Sequence, residues 1–144
     1  MSSTRELFAE ALRQHTYSLT KPRLAVFNAL LGEEPVSMRE LGEKVPSIDR
    51  ASVYRTVSLL EELGIILRIN VGWKYKLELS EMFSTHHHHI SCTACGKIVA
   101  LNERALERVI DRLSALHGFI PAAHQIEIQG LCSNCQKASQ SSQR

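Results

Sequence analysis

Residues 65–79 read Ile-Ile-Leu-Arg-Ile-Asn-Val-Gly-Trp-Lys-Tyr-Lys-Leu-Glu-Leu, and the fold assignment of the first half of the chain rests on them. Ile65–Asn70 is rich in β-branched residues, and Lys74–Leu79 alternates polar with apolar residues. Val71-Gly-Trp73 between the two runs supplies a turn. Two such runs joined by a short glycine-containing turn predict a β-hairpin.

Helices are predicted before this hairpin. Apolar residues at helical spacing indicate a first helix from Arg5 to Arg13. A second helix has Thr20 as its candidate N-cap, Pro22 in its first turn and Gly32 just after its end. These boundary residues are those that helix ends prefer, so the second helix is well delimited by sequence alone.

A third and a fourth helix follow. Ser37-Met-Arg-Glu40 forms a capping box for a short helix that stops before Pro46. The next helix begins near Ser47 or Asp49 and runs to Leu63, with Gly64 as its C-terminal stop. The last three of these four helices, followed by the hairpin, describe a winged helix-turn-helix, whose last helix can enter the major groove of DNA.

The second half of the chain predicts a small α/β unit, which makes the overall fold class α+β. We expect strands over His86–Cys92, Lys97–Leu101 and Gln125–Gln129, and a helix over Glu103–His117. The predicted organisation is a winged-helix domain over residues 1–79, a linker over residues 80–85, a dimerisation domain over residues 86–136 and a disordered tail over residues 137–144.

Bulk composition limits the class of protein. The chain has 144 residues, of which 44% are hydrophobic, so it can form one core or two small domains. Its apolar runs are far shorter than a bilayer span, and its polar first residues lack a signal-peptide core, so we expect a cytoplasmic protein without a membrane partner. The net charge of +2 means that any nucleic-acid contact depends on a few placed cations.

The four cysteines occur as two pairs, Cys92-Thr-Ala-Cys95 and Cys132-Ser-Asn-Cys135. Each spacing lets two thiolates bind one ion, and Gly96 permits a tight turn after the first pair. Four thiolates would complete the shell of a structural Zn²⁺ and leave no position for a substrate. A redox pair or two disulfides are the alternatives, which a reducing compartment disfavours.

A run of four histidines, His86-His-His-His89, precedes the first cysteine pair. Side chains alternate along a strand, so His86 and His88 should point to one side and His87 and His89 to the other. One short strand can therefore contribute to two separate metal sites. The alternative is that the run is exposed surface without a ligand role.

Several motifs in a fixed order resemble the ferric uptake regulator (Fur) family. They are Thr20-Lys-Pro-Arg23, Ala51-Ser-Val-Tyr-Arg-Thr56, His86 to Lys97 with its Cys-x-x-Cys-Gly, His117-Gly-Phe119, His124 and Gly130-Leu-Cys132-x-x-Cys135. The resemblance implies a metal-gated, DNA-binding repressor of metal homeostasis genes. It also implies a homodimer, formed through the second domain, that binds a palindromic operator in double-stranded DNA.

The predicted fourth helix carries the DNA-binding candidates. Arg55 lies two residues from Val53, about 200° around the helix, so it points away from the buried side, and Tyr54 lies on the flank. The resemblance implies that Tyr54 and Arg55 contact DNA. The alternative is that Arg55 is a solvated surface charge and that Tyr54 is a packing residue. Further phosphate contacts are expected from Arg23, Arg50 and Lys74.

The resemblance also implies a regulatory metal site. Its ligand positions are occupied here by His86, His88, Glu107 and His124. Three imidazoles and one carboxylate suit Zn²⁺ or another borderline divalent ion in a tetrahedral shell. We expect Zn²⁺ or Fe²⁺ at this site, with Mn²⁺ as a further option.

The second regulatory site of the family is altered in this chain. Two of its usual ligand positions hold Pro35 and Ala100, which cannot bind metal. The remaining candidates are His87, His89 and Glu81, with Glu78 as a weaker one. Iron and peroxide sensing use carboxylate-rich sites that include the two missing positions, so zinc sensing or a shifted ligand set is favoured.

The sequence also bears on other classes of function, of which the first is an enzyme. A zinc hydrolase needs an open coordination position and a general base, and the chain has no His-Glu-x-x-His helix, so we expect neither an enzyme nor a small-molecule substrate. A peroxide-sensing member of the same family is one alternative. A metal-independent helix-turn-helix protein or a metal-buffering module is another.

Overall fold

The computed structural model describes residues 3–141, which form helices and strands in alternating groups. In chain order these are α1 (Thr4–Gln14), α2 (Lys21–Leu30), α3 (Met38–Lys44), α4 (Arg50–Glu62), β1 (Ile66–Val71), β2 (Lys74–Leu79), β3 (His88–Cys92), β4 (Ile98–Leu101), α5 (Arg104–Leu116), β5 (Glu127–Gly130) and α6 (Ser133–Ser141). Among the described residues, no helix is long and apolar enough to cross a bilayer.

Two compact units divide the chain. The first contains the residues up to Ile69 together with Tyr75–Thr85, and the second contains Asn70–Lys74 together with the residues from His86 onward. The first unit has the predicted winged helix-turn-helix architecture, with four helices and the β1–β2 hairpin. The second is a small α/β unit, as the sequence predicted.

Side-chain caps start three helices of the first unit. Ser3 and Ser37 each form a capping box with a glutamate three residues later, so the predicted Ser37 box is present at the start of α3. The backbone N–H of Ser37 donates to Glu40 and lowers the pKa of that carboxyl. Asp49 accepts a hydrogen bond from the backbone N–H of Ser52 and so fixes the start of α4.

An aromatic cluster holds the first unit together. The rings of Phe8 in α1 and Phe27 in α2 are stacked with centroids 4.1 Å apart, and Phe83 packs edge-on against Phe27 at 4.9 Å. Residues 80–85, which the sequence predicted to be a linker, therefore belong to the first unit. Phe83 is partly buried against the core, and Ser80 N donates to Ile65 O at 2.9 Å, so these residues pack on the first unit.

Outside its tip, the hairpin contacts the helices of the first unit. Val36, just before α3, pairs with Leu77 of β2 through two backbone hydrogen bonds of 2.9 and 2.7 Å. Arg68 of β1 pairs with Glu61 of α4, and its guanidinium carbon lies 4.2 Å from the ring centroid of Tyr75. The hairpin is thus packed against the body of the first unit.

In the second unit, β3 is the central strand of a three-stranded sheet in the order β4-β3-β5. It runs antiparallel to β4 and parallel to β5, and α5 connects those two edge strands. The tip of the β1–β2 hairpin, Asn70–Lys74, also belongs to this unit, although the sequence predicted one domain ending at residue 79. The reason is that Ser91 and Gln129 both donate hydrogen bonds to the carbonyl oxygen of Asn70.

The chain beyond the last cysteine differs from the prediction of a disordered tail over residues 137–144. Residues 137–141 continue α6, and residues 142–144 lie outside the described part. The helix starts at the second cysteine pair, where Gln136 N donates to Cys132 O. Its Gln, Lys and Ala side chains then favour continuation of the helix.

Candidate metal centres and nucleic-acid interface

One side of α4 is exposed and polar. Its buried positions are Val53, Thr56, Val57 and Leu60. Tyr54 is 43% exposed, and Arg55 is exposed, with Nη2 donating to Ser52 Oγ at 3.0 Å. The hydrogen bonds from Ser52 keep the pKa of Asp49 low, so the cap carries a negative charge at the start of the helix.

Two of the predicted cations lie beside these residues. The guanidinium carbon of Arg50 is 5.6 Å from the ring centroid of Tyr54. Arg23 at the start of α2 and Arg55 line the same cavity of about 240 Å³. The arrangement places a cationic group near each of the two residues predicted to contact DNA.

The sequence did not identify what holds Arg23 in place. Its Nη1 donates to the carbonyl oxygen of Ser18 at 2.6 Å, and its guanidinium carbon lies 5.2 Å from the ring centroid of Tyr17. Tyr17 precedes α2 and fits no helical or strand period, so no pattern could have assigned it this contact.

A larger cavity of about 490 Å³ lies between α3 and α4. It is lined by Met38, Arg39, Gly42, Glu43, Pro46, Ile48, Arg50, Val53 and Tyr54. Arg39, which the sequence did not single out, adds a cation to its rim and forms a 3.0 Å ion pair with Glu43.

The fifth predicted DNA contact, Lys74, lies on the hairpin tip within the second unit. Its Nζ atom is 4.7 Å from the ring centroid of Trp73, which is 86% exposed. The tip therefore presents a cation over an aromatic ring to solvent.

The four cysteines converge in the second unit. Their sulfur atoms all lie within 4.8 Å of one another, and all four are free thiols. Cys95 Sγ and Cys132 Sγ are 3.8 Å apart. A tetrahedral site with Zn–S bonds of about 2.3 Å has edges of about 3.8 Å, so this cluster matches a zinc site.

Backbone N–H donors lower the pKa of two of the four cysteines, which favours the thiolate form that binds metal. Cys132 N donates to Cys92 Sγ at 3.3 Å, and this bond, with further donors from the Cys95 turn, lowers the pKa of Cys92 to about 6. Hydrogen bonding from the Cys135 backbone lowers the pKa of Cys132. Contacts with the sulfurs of Cys132, Cys92 and Cys95 raise the pKa of Cys135 to about 12, because it shares its proton with them.

Three histidines and one glutamate form a second cluster. The side chains are those of His86, His88, Glu107 and His124, with their ligand atoms all within 4.8 Å of one another. His88 Nε2 lies 3.3 Å from His86 Nε2 and 3.2 Å from His124 Nε2. Donors about 2.0–2.1 Å from one tetrahedral ion are about 3.3–3.4 Å apart, so the spacing suits a small divalent metal.

Glu107 supplies the charge of this cluster. Its carboxylate lies 2.8 Å from His88 Nε2 and 3.1 Å from His124 Nε2. Desolvation alone would raise the pKa of Glu107, but the hydrogen bond from His88 and the charges of His124 and His86 together lower it. The glutamate is therefore ionised and ready to bind a cation.

The other predicted regulatory residues are only partly brought together. The rings of His87 and His89 have centroids 4.7 Å apart, on the second unit. Glu81 is exposed, Glu78 is buried, and both belong to the first unit. The assignment of Glu81, His87 and His89 to one metal site stays a prediction.

The chain is similar to known proteins over most of its length. The model of the Ferric uptake regulator family matches residues 14–129. The ferric uptake regulation protein of Campylobacter jejuni subsp. jejuni is 33% identical over 138 residues, which cover 90% of this chain and 87% of that protein. The protein of the same name from Bacillus subtilis is 33% identical over 132 residues, covering 86% and 89%.

A solved structure shows the same fold. It is the ferric uptake regulator Fur of Helicobacter pylori, described as having three functional metal binding sites. The two structures superpose with a TM-score of 0.75 at 20% identity, and the match covers 94% of this chain and 95% of that one.

Proposed function

Because the chain belongs to the ferric uptake regulator family, we propose that it is a metal-dependent DNA-binding repressor of metal homeostasis genes that responds to zinc or iron. Members of this family are metal-responsive transcription regulators that bind DNA and generally act as dimers. The observation that carries the proposal is the convergence of His86, His88, Glu107 and His124 on one point at tetrahedral spacing.

The four-cysteine cluster is the proposed structural site. Zn²⁺ there would be held by Cys92, Cys95, Cys132 and Cys135, a complete thiolate shell that supplies cross-linking and no reactivity. The two pairs are 37 residues apart at their nearest members, Cys95 and Cys132. A metal joining them ties the β3–β4 turn to the start of α6.

The three-histidine cluster is the proposed regulatory site. Its ligands come from the first residue of β3 and the segment just before it, from α5 and from the segment before β5, so a bound ion would fix these parts of the second unit at once. Imidazole-rich ligand sets suit Zn²⁺, Fe²⁺ and other borderline ions. Zinc is favoured because Pro35 and Ala100 replace two ligands of the iron- and peroxide-sensing sites.

A further regulatory set, Glu81, His87 and His89, is proposed on sequence grounds. The pairing of His87 with His89 supports it. Metal can act as a corepressor only if it binds the DNA-competent arrangement more tightly than the other arrangements.

The proposed DNA interface consists of α4, the neighbouring Arg23 and Arg50, and Lys74 on the hairpin tip. Arg55 and Tyr54 would face the bases, and Arg23, Arg50 and Lys74 the phosphates. A homodimer would present two such helices to a palindromic operator. Support for a dimer comes from α5, which buries no side chain within the chain and leaves Val109 and Leu113 about half exposed.

The experiment that tests this function begins with selection of a duplex from a randomised DNA library by the zinc-loaded protein. Affinity for the selected duplex is then measured by fluorescence anisotropy during titration with zinc, iron, manganese or nickel, with the cysteine site kept loaded. We expect one metal to raise the affinity. Binding that ignores both metal and chelator would reject metal gating, and the absence of any enriched duplex would reject the DNA-binding function.

A further inference from the structure

The tip of the β1–β2 hairpin rests on the turn that carries the first cysteine pair. Val71 at the tip is only 6% exposed. A Cβ atom built on Gly72 would lie 3.2 Å from the carbonyl oxygen of Thr93, which is between Cys92 and Cys95 in the chain. Gly72 also has φ +62, so two independent features require glycine there.

Hydrogen bonds complete this contact. Ser91 Oγ on β3 and Gln129 Nε2 on β5 donate to the carbonyl oxygen of Asn70, at 3.4 and 3.3 Å. On the other side of the turn, a Cβ on Gly96 would lie 3.9 Å from Val71 Cγ1. We call the surface formed by Ser91, Thr93, Gly96 and Gln129 the wing seat.

The wing seat is built from the same backbone that holds the cysteines. Thr93 N donates to Gly130 O at 2.9 Å, and Gly96 N donates to Cys92 O at 2.9 Å. A metal bound by both cysteine pairs would therefore hold the turn and β5 in register. The position of Thr93, and with it the room left for Gly72, depends on that register.

We propose that the wing seat positions the hairpin tip for DNA contact, so that Gly72 and Gln129 are positioning residues for Lys74 and the four-cysteine metal governs the tip as well as the second unit. This inference rests on the proposed DNA-binding function. It predicts that a loss of metal at the cysteines, or a side chain at Gly72, frees the tip while the helices of the first unit stay folded.

Trp73 makes the tip directly observable. It is the only tryptophan of the chain, it lies at the tip, and it is 86% exposed. While the tip is seated, the backbone at Trp73 should rotate with the whole protein, and only the exposed side chain adds fast local motion. A released tip adds backbone motion, which enlarges the rapid component in the decay of tryptophan fluorescence anisotropy.

The first experiment compares Gly72→Ala with Gly118→Ala in the zinc-loaded protein, without DNA. Both glycines have positive φ, +62 and +77, but a Cβ on Gly118 meets nothing within 4 Å. Both alanines therefore carry backbone strain and only the first disturbs the seat. We expect a larger fast component for Gly72→Ala and for parent protein stripped of zinc by a chelator, with no change for Gly118→Ala. Identical decays in all four samples would overturn the proposal.

The second experiment measures the salt dependence of binding to the selected duplex. The logarithm of the affinity falls linearly with the logarithm of the salt concentration, and the loss of one phosphate contact makes this slope less steep by about 0.9. We expect this decrease for Lys74→Gln and for Gly72→Ala, and no further decrease in the double variant, because both changes remove the same contact. A general loss of stability would leave the slope of the folded protein unchanged, so additive or absent slope changes would contradict a positioning role.

Gln129→Leu provides a second variant in case Gly72→Ala does not fold. It removes one of the two donors to Asn70 O without adding volume at the turn. We expect the same fast component in the anisotropy decay, and an unaltered decay would count against the proposal. Because this measurement needs no DNA, it separates failure of the wing seat from failure of the proposed function.

Discussion

The Nε2 atom of His88 lies 2.8 Å from Oε1 of Glu107, although β3 and α5 place these residues 19 positions apart. His88 is 2% exposed, so its imidazole has exchanged water for this carboxylate and for His86 and His124. A cluster of one anion and three imidazoles around this buried ring is most stable when a cation occupies it. The pair is therefore the most informative place to test metal binding.

Replacement of Glu107 by glutamine should weaken the regulatory metal by at least about tenfold, since even the outer partners of metal ligands are typically worth 10–100-fold. Isothermal titration calorimetry of protein with loaded cysteines measures this loss. Asp111→Asn, on the same helix but exposed and outside the cluster, is the matched control. Equal affinity in parent and Glu107→Gln would show that the glutamate is not a ligand.

Arg55→Gln should remove about 1–3 kcal/mol of preference for the selected duplex over a scrambled one, the range for a side chain that reads a base directly. Anisotropy titrations with both duplexes give this difference. Arg13→Gln removes a cation from α1 whose ion pair with Glu10 is exposed, and should leave the preference intact. A uniform loss on both duplexes would instead assign Arg55 to phosphate.

In the zinc-stripped protein, a fall in pH should reduce the stability of the fold through protonation of Cys92. The pKa of this thiol is lowered to about 6 in the fold, so its thiolate stabilises the fold above the ordinary thiol pKa, and this contribution is lost as pH falls through about 6. The pKa of Cys135 is raised to about 12, so its protonated form stabilises the fold at lower pH, and that contribution is lost only as pH rises through about 12.

The ultraviolet absorbance of thiolates shows whether Cys92 ionises before Cys135 as pH rises. A pH titration of the stripped protein should show one thiolate forming near pH 6, and Cys92→Ser should abolish that step while Cys135→Ser retains it. Circular dichroism at each pH verifies that the chain remains folded. A first transition near the usual thiol pKa of about 8.5 would contradict the hydrogen-bond geometry of the cluster.

Leu113→Glu should dissociate the proposed dimer. The side chain is 53% exposed on α5 although it is apolar, and burial of one leucine is worth about 1.5–3 kcal/mol. About half of each side chain remains to be buried in a dimer, and a twofold interface repeats the change, so the dissociation constant should rise at least about tenfold. Sedimentation equilibrium measures it, with Arg112→Glu as the exposed neighbouring control. An unaltered molecular mass would place the interface elsewhere.

Local chemistry made much of the fold predictable. The capping box of Ser37 and Glu40, Pro22 in the first turn of α2 and Gly64 after α4 all mark helix ends through interactions within a few residues. Segments whose structure depends on distant partners were predicted less well. Phe83 lies in a polar stretch that resembles a linker, and its contacts with Phe8 and Phe27 place it against the core.

The sequence by itself determined the helices and strands, the two thiolate pairs and the separation of His86 and His88 from His87 and His89. These features follow from periods of two and 3.6 residues and from fixed spacings, which need no knowledge of the rest of the chain. The spacing predicted one shell for the four cysteines, and the family resemblance placed Glu107 with His88. Only the tertiary structure brought these groups within ligand distance of one another and placed Gly72 against Thr93. Such contacts depend on how strands pair and helices pack, and those are set by the whole core rather than by any local pattern.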